Sequence, residues 1–300
     1  MSESPQPHGV LVVDKPSGMT SHDVVARARR ALGTPRVGHT GTLDPLATGV
    51  LPLVVGKATR LAQFLSASTK EYDAIVAFGR ATDTYDAAGA VTEETGRRPT
   101  AEAVEAALAG FRGTFAQTPP AYSAKKVDGE RAYARARRDE AVTPAPVTVT
   151  VEALELTGWD GDRACLTVRA SAGFYVRSLA HDLGAVLGTG AHLAGLRRTR
   201  AGAFTLAQAV PFDRLRPEER PALAGLLQPL ERLLPDASAV SLTPRGLERV
   251  GHGQDVGPAD FAGPPPSGPG PIQLLGPDGA LVALATPAAA GFLHPSIVLR

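Results

Sequence analysis

With 300 residues, 43% hydrophobic and 20% charged, the chain has the apolar content for one large domain and a small one, which excludes the disordered and fibrous classes. A net charge of +1 excludes a binder of polyanions that works through bulk charge, so any nucleic-acid surface must come from local clustering. No run approaches the roughly 20 apolar residues of a membrane span, MSESPQPHG has no basic start or apolar core, and the one cysteine, Cys165, cannot form an intrachain disulfide; the expectation is a cytoplasmic protein.

In chain order, Val10 to Val13 reads as a short strand ending at the turn Asp14-Lys15-Pro16-Ser17-Gly18. Thr20 and Ser21 cap a helix with Asp23 in its first turn and Val24, Val25, Ala28 and Leu32 on one side. Next comes GHTGTLDPLATG, Gly38 to Gly49, which sets one carboxylate, Asp44, in a loop dense with glycine and threonine before the apolar Leu51 to Val55. Glycines admit backbone angles that other residues avoid, and Asp44-Pro45 favours a tight turn. On spacing alone the loop reads first as an ordinary turn, since Asp before Pro is a common turn former, and only second as a frame for a nucleophile or general base.

From Glu71 to Gly79 the alternation of Tyr72, Ala74, Val76 and Phe78 predicts a half-buried strand with Tyr72 on its apolar face. Thr100 caps a second helix, AEAVEAALAGF. Strands follow at VTVTVEALEL and RACLTVRA, with Cys165 read as a buried strand thiol. A helix from about Tyr175 to Leu187 turns Val176, Leu179, Leu183 and Val186 inward. Two-residue spacing and the preceding Gly173 let Tyr175 and Arg177 reach one cleft. A helical, Leu-rich stretch runs from Pro211 to about Leu234; beyond it, PIQLL, ALVALA and SIVLR stand apart around the Pro/Gly-rich AGPPPSGPGP. We place a boundary near Asp236, giving domains 1–235 and 236–300, the second a compact, barrel-like β unit. Strands unevenly separated by helices and long loops point to an α+β class with a mixed, mainly antiparallel sheet.

Arginines gather at Arg27, Arg29, Arg30 and Arg36, at Arg131 through Arg138, and at Arg197, Arg198 and Arg200, each group readable as a solvated face. The segment 118–138, opening TPPAYSAKK, reads as a basic lobe in which Lys125, Lys126, Arg131 and Arg135 contact RNA phosphates without reading sequence. A glycosidase pair of Asp44 and Asp86 is a competing reading, weakened by an aromatic content of only 5%. A metal site on His181-Asp182 with His22-Asp23 is disfavoured because adjacent helix residues point in different directions, and no metal is expected.

The blocks GVLVVDKPSGMTSHDVV, VGHTGTLDPLATGVLPLVVGKATR, KEYDAIVAFGRATDTYDAAG, TPPAYSAKKVDGERAYARAR, GFYVRSLAHDLG and GAHLAGLRRTRAGAF resemble, in order and over about two thirds of the chain, the motifs of the TruB family, the bacterial synthases of pseudouridine 55 in the T arm of tRNA. That resemblance implies the pseudouridine synthase fold with Asp44 as catalytic group, attacking C1′ of the ribose or removing its 2′ proton. It implies Tyr72 against the flipped base and a candidate to take the C5 proton, and Arg177 paired with the aspartate so that it stays ionised. Asp86 positions that tyrosine and arginine, Tyr175 shares the cleft, and Leu196 contacts the base from beneath. His39 takes the space the uridine leaves, and Lys15 supports the loop. The family also implies a thumb-like 118–138 insertion gripping the T arm, a PUA-like RNA-binding C-terminal domain, no cofactor, and a stand-alone monomer without guide RNA or protein partner. A non-enzymatic tRNA-folding chaperone is the alternative outside the enzymes.

Overall fold

The computed structural model describes residues 6–123, 144–266, 268 and 270–299, with the strand backbones at 126–127 and 130–131. Strand β1 (Gly9–Lys15) lies antiparallel to β3 (Thr48–Val55), and the short β2 (Val37–His39) pairs with β3 as well. Between β1 and β2 runs α1 (Ser21–Leu32). Its start is fixed by a reciprocal cap, Asp23 N–H to Thr20 Oγ1 at 3.2 Å and Thr20 N–H to Asp23 Oδ2 at 2.8 Å, and it ends at Gly33, whose φ of 65° suits glycine. Val24, Val25, Ala28, Ala31 and Leu32 are buried against Leu11, Val13, Leu51 and Leu53, at about 1.5–3 kcal/mol for each large side chain removed from water.

After the short α2 (Ala62–Ser66) comes β4 (Lys70–Phe78), then the hairpin β5 (Arg80–Thr82) and β6 (Val91–Glu94) and helix α3 (Ala101–Leu108), capped by Thr100. Strand β7 (Gly113–Gln117) leads to the small hairpin β8 (Lys126–Val127) and β9 (Glu130–Arg131), then to the long β10 (Val147–Asp160) and β11 (Arg163–Ala170). Helix α4 (Val176–Val186) precedes β12 (Ala191–Ala201), β13 (Phe204–Thr205) and β14 (Val210–Pro211). One ten-stranded sheet results, ordered β14-β1-β3-β12-β4-β11-β10-β7 with β2 and β13 at its margins. The β14–β1 and β3–β12 junctions are parallel and the others along this path antiparallel, so the sheet is mixed as expected.

Period two sorts the middle of the sheet. Ala74, Val76 and Phe78 face inward beside Ala164, Leu166 and Val168, and α3 and α4 cover them with Val104, Leu108, Leu179 and Leu183. Cys165 is exposed, against expectation: even-numbered residues of β11 hold the core positions, so the thiol falls with Arg163 and Arg169 on the other face, opposite Ile75. Val186 also departs from expectation at 67% exposed, because Leu187, four residues after Leu183, takes the inward place. The Leu-rich stretch is not one helix. It breaks into 3-10 turns around the six-residue α5 (Arg220–Gly225), with Pro217, Pro221 and Pro229 interrupting any longer ladder.

The C-terminal strands are β15 (Ala239–Ser241), β16 (Ile272–Leu275), β17 (Leu281–Pro287) and β18 (Leu293–Val298), with α6 (Pro244–Gly251) against them. They pair in the order β15-β16-β17-β18, and the segment 256–262 meets both outer strands, Val256 bridging Leu293 of β18 and Ala262 N–H donating to Ser241 O of β15 at 2.8 Å, while the strands themselves form an open sheet. Leu281, Leu284 and Leu299 pack on Val10, Val12, Val50 and Val54, so this unit shares a core with the main sheet. Among the described residues no helix is long and apolar enough to cross a membrane.

Candidate active site

Asp44 occupies the loop between β2 and β3, and that loop is bound from below by the opening motif. The Lys15 ammonium, fully buried, donates to the carbonyls of Ala47 at 2.6 Å, Pro16 at 2.9 Å and Pro45 at 3.5 Å. Burial is the main reason its pKa falls to about 8, with Asp44 opposing the shift. Ser21 Oγ accepts from Leu43 N–H at 2.8 Å and donates to Leu43 O at 3.0 Å, while Gly18 N–H reaches Pro45 O at 2.8 Å. Gly49 has to be glycine: its φ is 101°, and a Cβ there would sit 2.2 Å from the carbonyl oxygen of Arg198 on β12.

The counter-charge comes from α4. No side chain caps its first turn; instead Gln117, at the end of β7, accepts from Tyr175 N–H at 2.8 Å and donates to Tyr175 O at 3.0 Å. Two residues on, Arg177 is 5% exposed, with Nε 2.9 Å from Asp44 Oδ2. Its other nitrogens donate to Thr84 O at 3.1 Å and Tyr122 O at 2.9 Å, and NH1 is 3.8 Å from Asp86 Oδ2. Asp86 is itself fixed by Thr84 Oγ1 at 2.7 Å and Ala88 N–H at 3.0 Å. One guanidinium therefore joins four segments far apart in sequence. Burial pushes the Asp44 carboxyl above its ordinary range, and Arg177 is the first influence drawing it back.

Asp44, Tyr72, Tyr175, Arg177 and Leu196 line one cleft of about 240 Å³, with Phe174 also in its wall. Tyr72 stands on the inward face of β4 as predicted, and Leu196 comes from β12 and packs against the cores on both sides of the cleft. Burial raises the pKa of the Tyr175 phenol. Asp86 and Lys15 do not line the cleft: the acid lies behind Arg177 and the lysine beneath the loop. Two carboxylates flanking a sugar bond are therefore not presented to a ligand, which removes the basis of the glycosidase reading. His39, at the end of β2, is also outside the lining, its ring 6.5 Å from that of His22. Lys125, Arg135 and the side chains of Lys126 and Arg131 lie outside the described residues.

Two cations in the cleft wall escape the sequence reading. Arg198, 1% exposed, donates to Val50 O at 2.7 Å, Gly41 O at 3.0 Å and Thr42 O at 3.5 Å, and hydrogen-bonds the Tyr72 side chain. Lys70, 6% exposed, donates to the carbonyls of Ser66 and Ser68, and burial, reinforced by Arg198, lowers its pKa to about 8. The signal for Lys70 is its parity with Tyr72 on β4; for Arg198 it is the two-residue step from Leu196 on β12. The arginine cluster 197–200 is no solvated helix face, since Arg197 pairs with Asp14 at 2.8 Å and Arg200 lies 3.4 Å from Glu71 while Arg198 turns inward. Among the described residues no three His, Cys, Asp or Glu side chains converge as a metal site.

Two family models describe this arrangement: TruB family pseudouridylate synthase (N terminal domain) matches residues 29–176, and tRNA pseudouridylate synthase B C-terminal domain matches residues 177–235. The chain belongs to the TruB family of pseudouridylate synthases. It is 45% identical over 295 residues to the tRNA pseudouridine synthase B of Solibacter usitatus, covering 97% of this chain and 99% of that one. The synthase B of Thermobifida fusca is 46% identical over 290 residues, covering 92% and 94%. Among solved structures, the archaeal box H/ACA sRNP Nop10-Cbf5 complex contains a chain matching 98% of this TruB family member and 87% of its own length, at 25% identity and a TM-score of 0.72.

Proposed function

We propose that this protein converts uridine 55 in the T arm of tRNA to pseudouridine, with Asp44 as the reacting carboxylate. Membership of a family of tRNA pseudouridine synthases supports tRNA as substrate. The observation that carries the residue assignment is the Asp44–Arg177 contact, 2.9 Å, at the wall of a cleft sized for a nucleotide base. The isomerisation breaks the bond from C1′ to N1, turns the uracil, forms a bond from C1′ to C5 and moves the C5 proton away while N1 gains one. No electrons are gained or lost overall, so no redox cofactor is called for.

Asp44 either attacks C1′ or removes the 2′ proton, and both routes need it ionised in a site that burial makes hostile to charge; Arg177 supplies the compensation. Tyr72 and Leu196 hold the extruded base, whose unstacking costs on the order of a few kcal/mol, and Tyr175 completes the wall. Tyr72 is also the candidate to take the C5 proton. Asp86 and Lys15 act indirectly, one fixing Arg177 and the other the loop, and His39 fills the gap left by the uridine. Residues 118–138 grip the stem through Lys125, Lys126, Arg131 and Arg135, starting from a base tied to α4 by Ser178 Oγ to Thr118 O at 2.7 Å. Residues 1–235 form the catalytic domain and 236–300 a PUA-like unit that contacts RNA. The enzyme works in the cytoplasm as a monomer, without guide RNA.

The test is tritium release from a tRNA transcript carrying 5-tritiated uridine, beside a transcript with cytidine at position 55. Asp44→Asn abolishes release and leaves tRNA affinity and fold intact; release at the wild-type rate overturns the assignment to Asp44, and undiminished release from the cytidine-55 transcript overturns the assignment to that position. Because the carboxyl is raised above its ordinary value of 3.8 and only the anion reacts, wild-type activity falls on the acid side with a midpoint above 3.8.

A further inference from the structure

Tyr85 is the one described non-glycine residue with positive φ, at 64°, in the turn between β5 and β6. A bulky residue in the left-handed region is strained and persists only where its surroundings hold it. What holds it here is a face-to-face stack on His181, with ring centroids 3.8 Å apart and planes within 10°. Its backbone is tied on both sides, Tyr85 N–H to Thr82 O at 3.2 Å and Leu193 N–H to Tyr85 O at 2.9 Å.

The neighbours give this strain its meaning. Thr84, immediately before it, offers the carbonyl that accepts from Arg177 at 3.1 Å, and Asp86, immediately after, is the carboxylate 3.8 Å from the same guanidinium. His181 stands four residues after Arg177 on α4, one turn along the same face. The helix that carries the arginine therefore also carries the ring that sets the turn reading it. Neither Tyr85 nor His181 lines the cleft.

We infer that the Tyr85–His181 stack is a positioning clamp: it fixes the 84–86 turn so that Thr84 O and Asp86 hold Arg177 in the orientation that meets Asp44. This inference rests on Asp44 being the reacting group. A loosened turn leaves the guanidinium free to follow Asp86 or solvent, so the cost appears in the chemical step and not in tRNA binding.

Single-turnover rates at saturating enzyme, with tRNA affinity and Tm measured in parallel, test it. Tyr85→Gly relieves the backbone strain and removes the ring; it retains wild-type affinity and a similar Tm but reacts on the order of 10- to 100-fold more slowly. Tyr85→Phe keeps the stack and restores the rate. His181→Leu leaves the turn backbone untouched and slows the reaction like Tyr85→Gly, and the double variant is no slower than the slower single one. A wild-type rate in Tyr85→Gly or His181→Leu overturns the clamp, as does a Phe variant as slow as Gly or losses that multiply in the double variant. Activity surviving Asp44→Asn would instead overturn the reading beneath it.

Discussion

Around the cleft, Lys15, Lys70 and Arg198 are buried and give their donors to backbone carbonyls, whereas the buried charge of the C-terminal unit, Asp260, is met by opposite charge. Asp260 lies 3.3 Å from Arg245 and 3.5 Å from Arg249, and accepts from Gly257 N–H at 3.1 Å. The second arrangement is local and structural, a carboxylate closing a tight turn beside α6. The first is costly, since a buried cation loses more in leaving water than carbonyls return unless something else requires it. Positive charge held that way, beside a buried carboxylate, suits a protein that handles a polyanion such as tRNA. Arg177 combines the two arrangements, meeting Asp44 at 2.9 Å and the carbonyls of Thr84 and Tyr122 with its other nitrogens.

The comparison is most sharply tested at Arg198. Arg198→Leu strands the carbonyls of Gly41, Thr42 and Val50 and frees the Tyr72 hydroxyl, and we expect a loss of about 3–5 kcal/mol in urea unfolding together with lost turnover. Arg249→Leu, with Arg245 and the Gly257 amide still on Asp260, is expected to cost about 1–2 kcal/mol and leave turnover unchanged. Equal losses in both would erase the distinction.

Lys70 gives a smaller effect of opposite sign. Its folded pKa of about 8 lies below the ordinary 10.5, so between those values the unfolded chain binds more protons at this residue and stability rises with pH; the cost is fully present below about 8. Lys70→Met should therefore be more stable than wild type at pH 7, by about 1–3 kcal/mol, with the advantage disappearing toward pH 10.5. Thermal unfolding across that range checks it, and a pH-independent difference would assign Lys70 a packing role only.

The smallest effect is predicted at the cap of α6, where Thr243 Oγ1 accepts from Gly246 N–H at 3.2 Å. Thr243→Ala should lower stability by about 1 kcal/mol and leave single-turnover rates untouched. A slowed reaction would show that the C-terminal unit reaches the chemistry through the core it shares with β1 and β3.

Local rules made much of this legible. The reciprocal cap of Thr20 and Asp23 and the alternation that turned Tyr72 inward are short-range patterns, and both stand in the structure. The alternation of RACLTVRA was equally visible, but a small, moderately apolar side chain such as Cys165 fits either face, and the choice was made by Ala164 and Leu166 meeting β4. Lys70 and Arg198 were hidden for a different reason: a cation at the head of a strand or within a run of arginines looks solvated until distant carbonyls close around it. The Arg177 network could be read only in part, because its partners at Thr84 and Tyr122 are main-chain oxygens that no residue type announces.

Strand order carries one more consequence, for the chain as it is made. β12 lies between β3 and β4, so the strand that leaves the Asp44 loop and the strand that bears Tyr72 meet only through residues 191–201. A nascent chain short of those residues can pair β1 with β3 and β4 with β11, yet each partial sheet keeps an open edge where its neighbour is missing. During synthesis at about 5–20 residues per second, those edges stay unpaired until residues 191–201 have followed the earlier strands. Insertion of one late strand both quenches them and completes the wall of the cleft, so an unfinished chain has neither the cleft nor protection from sticking to its neighbours on the polysome.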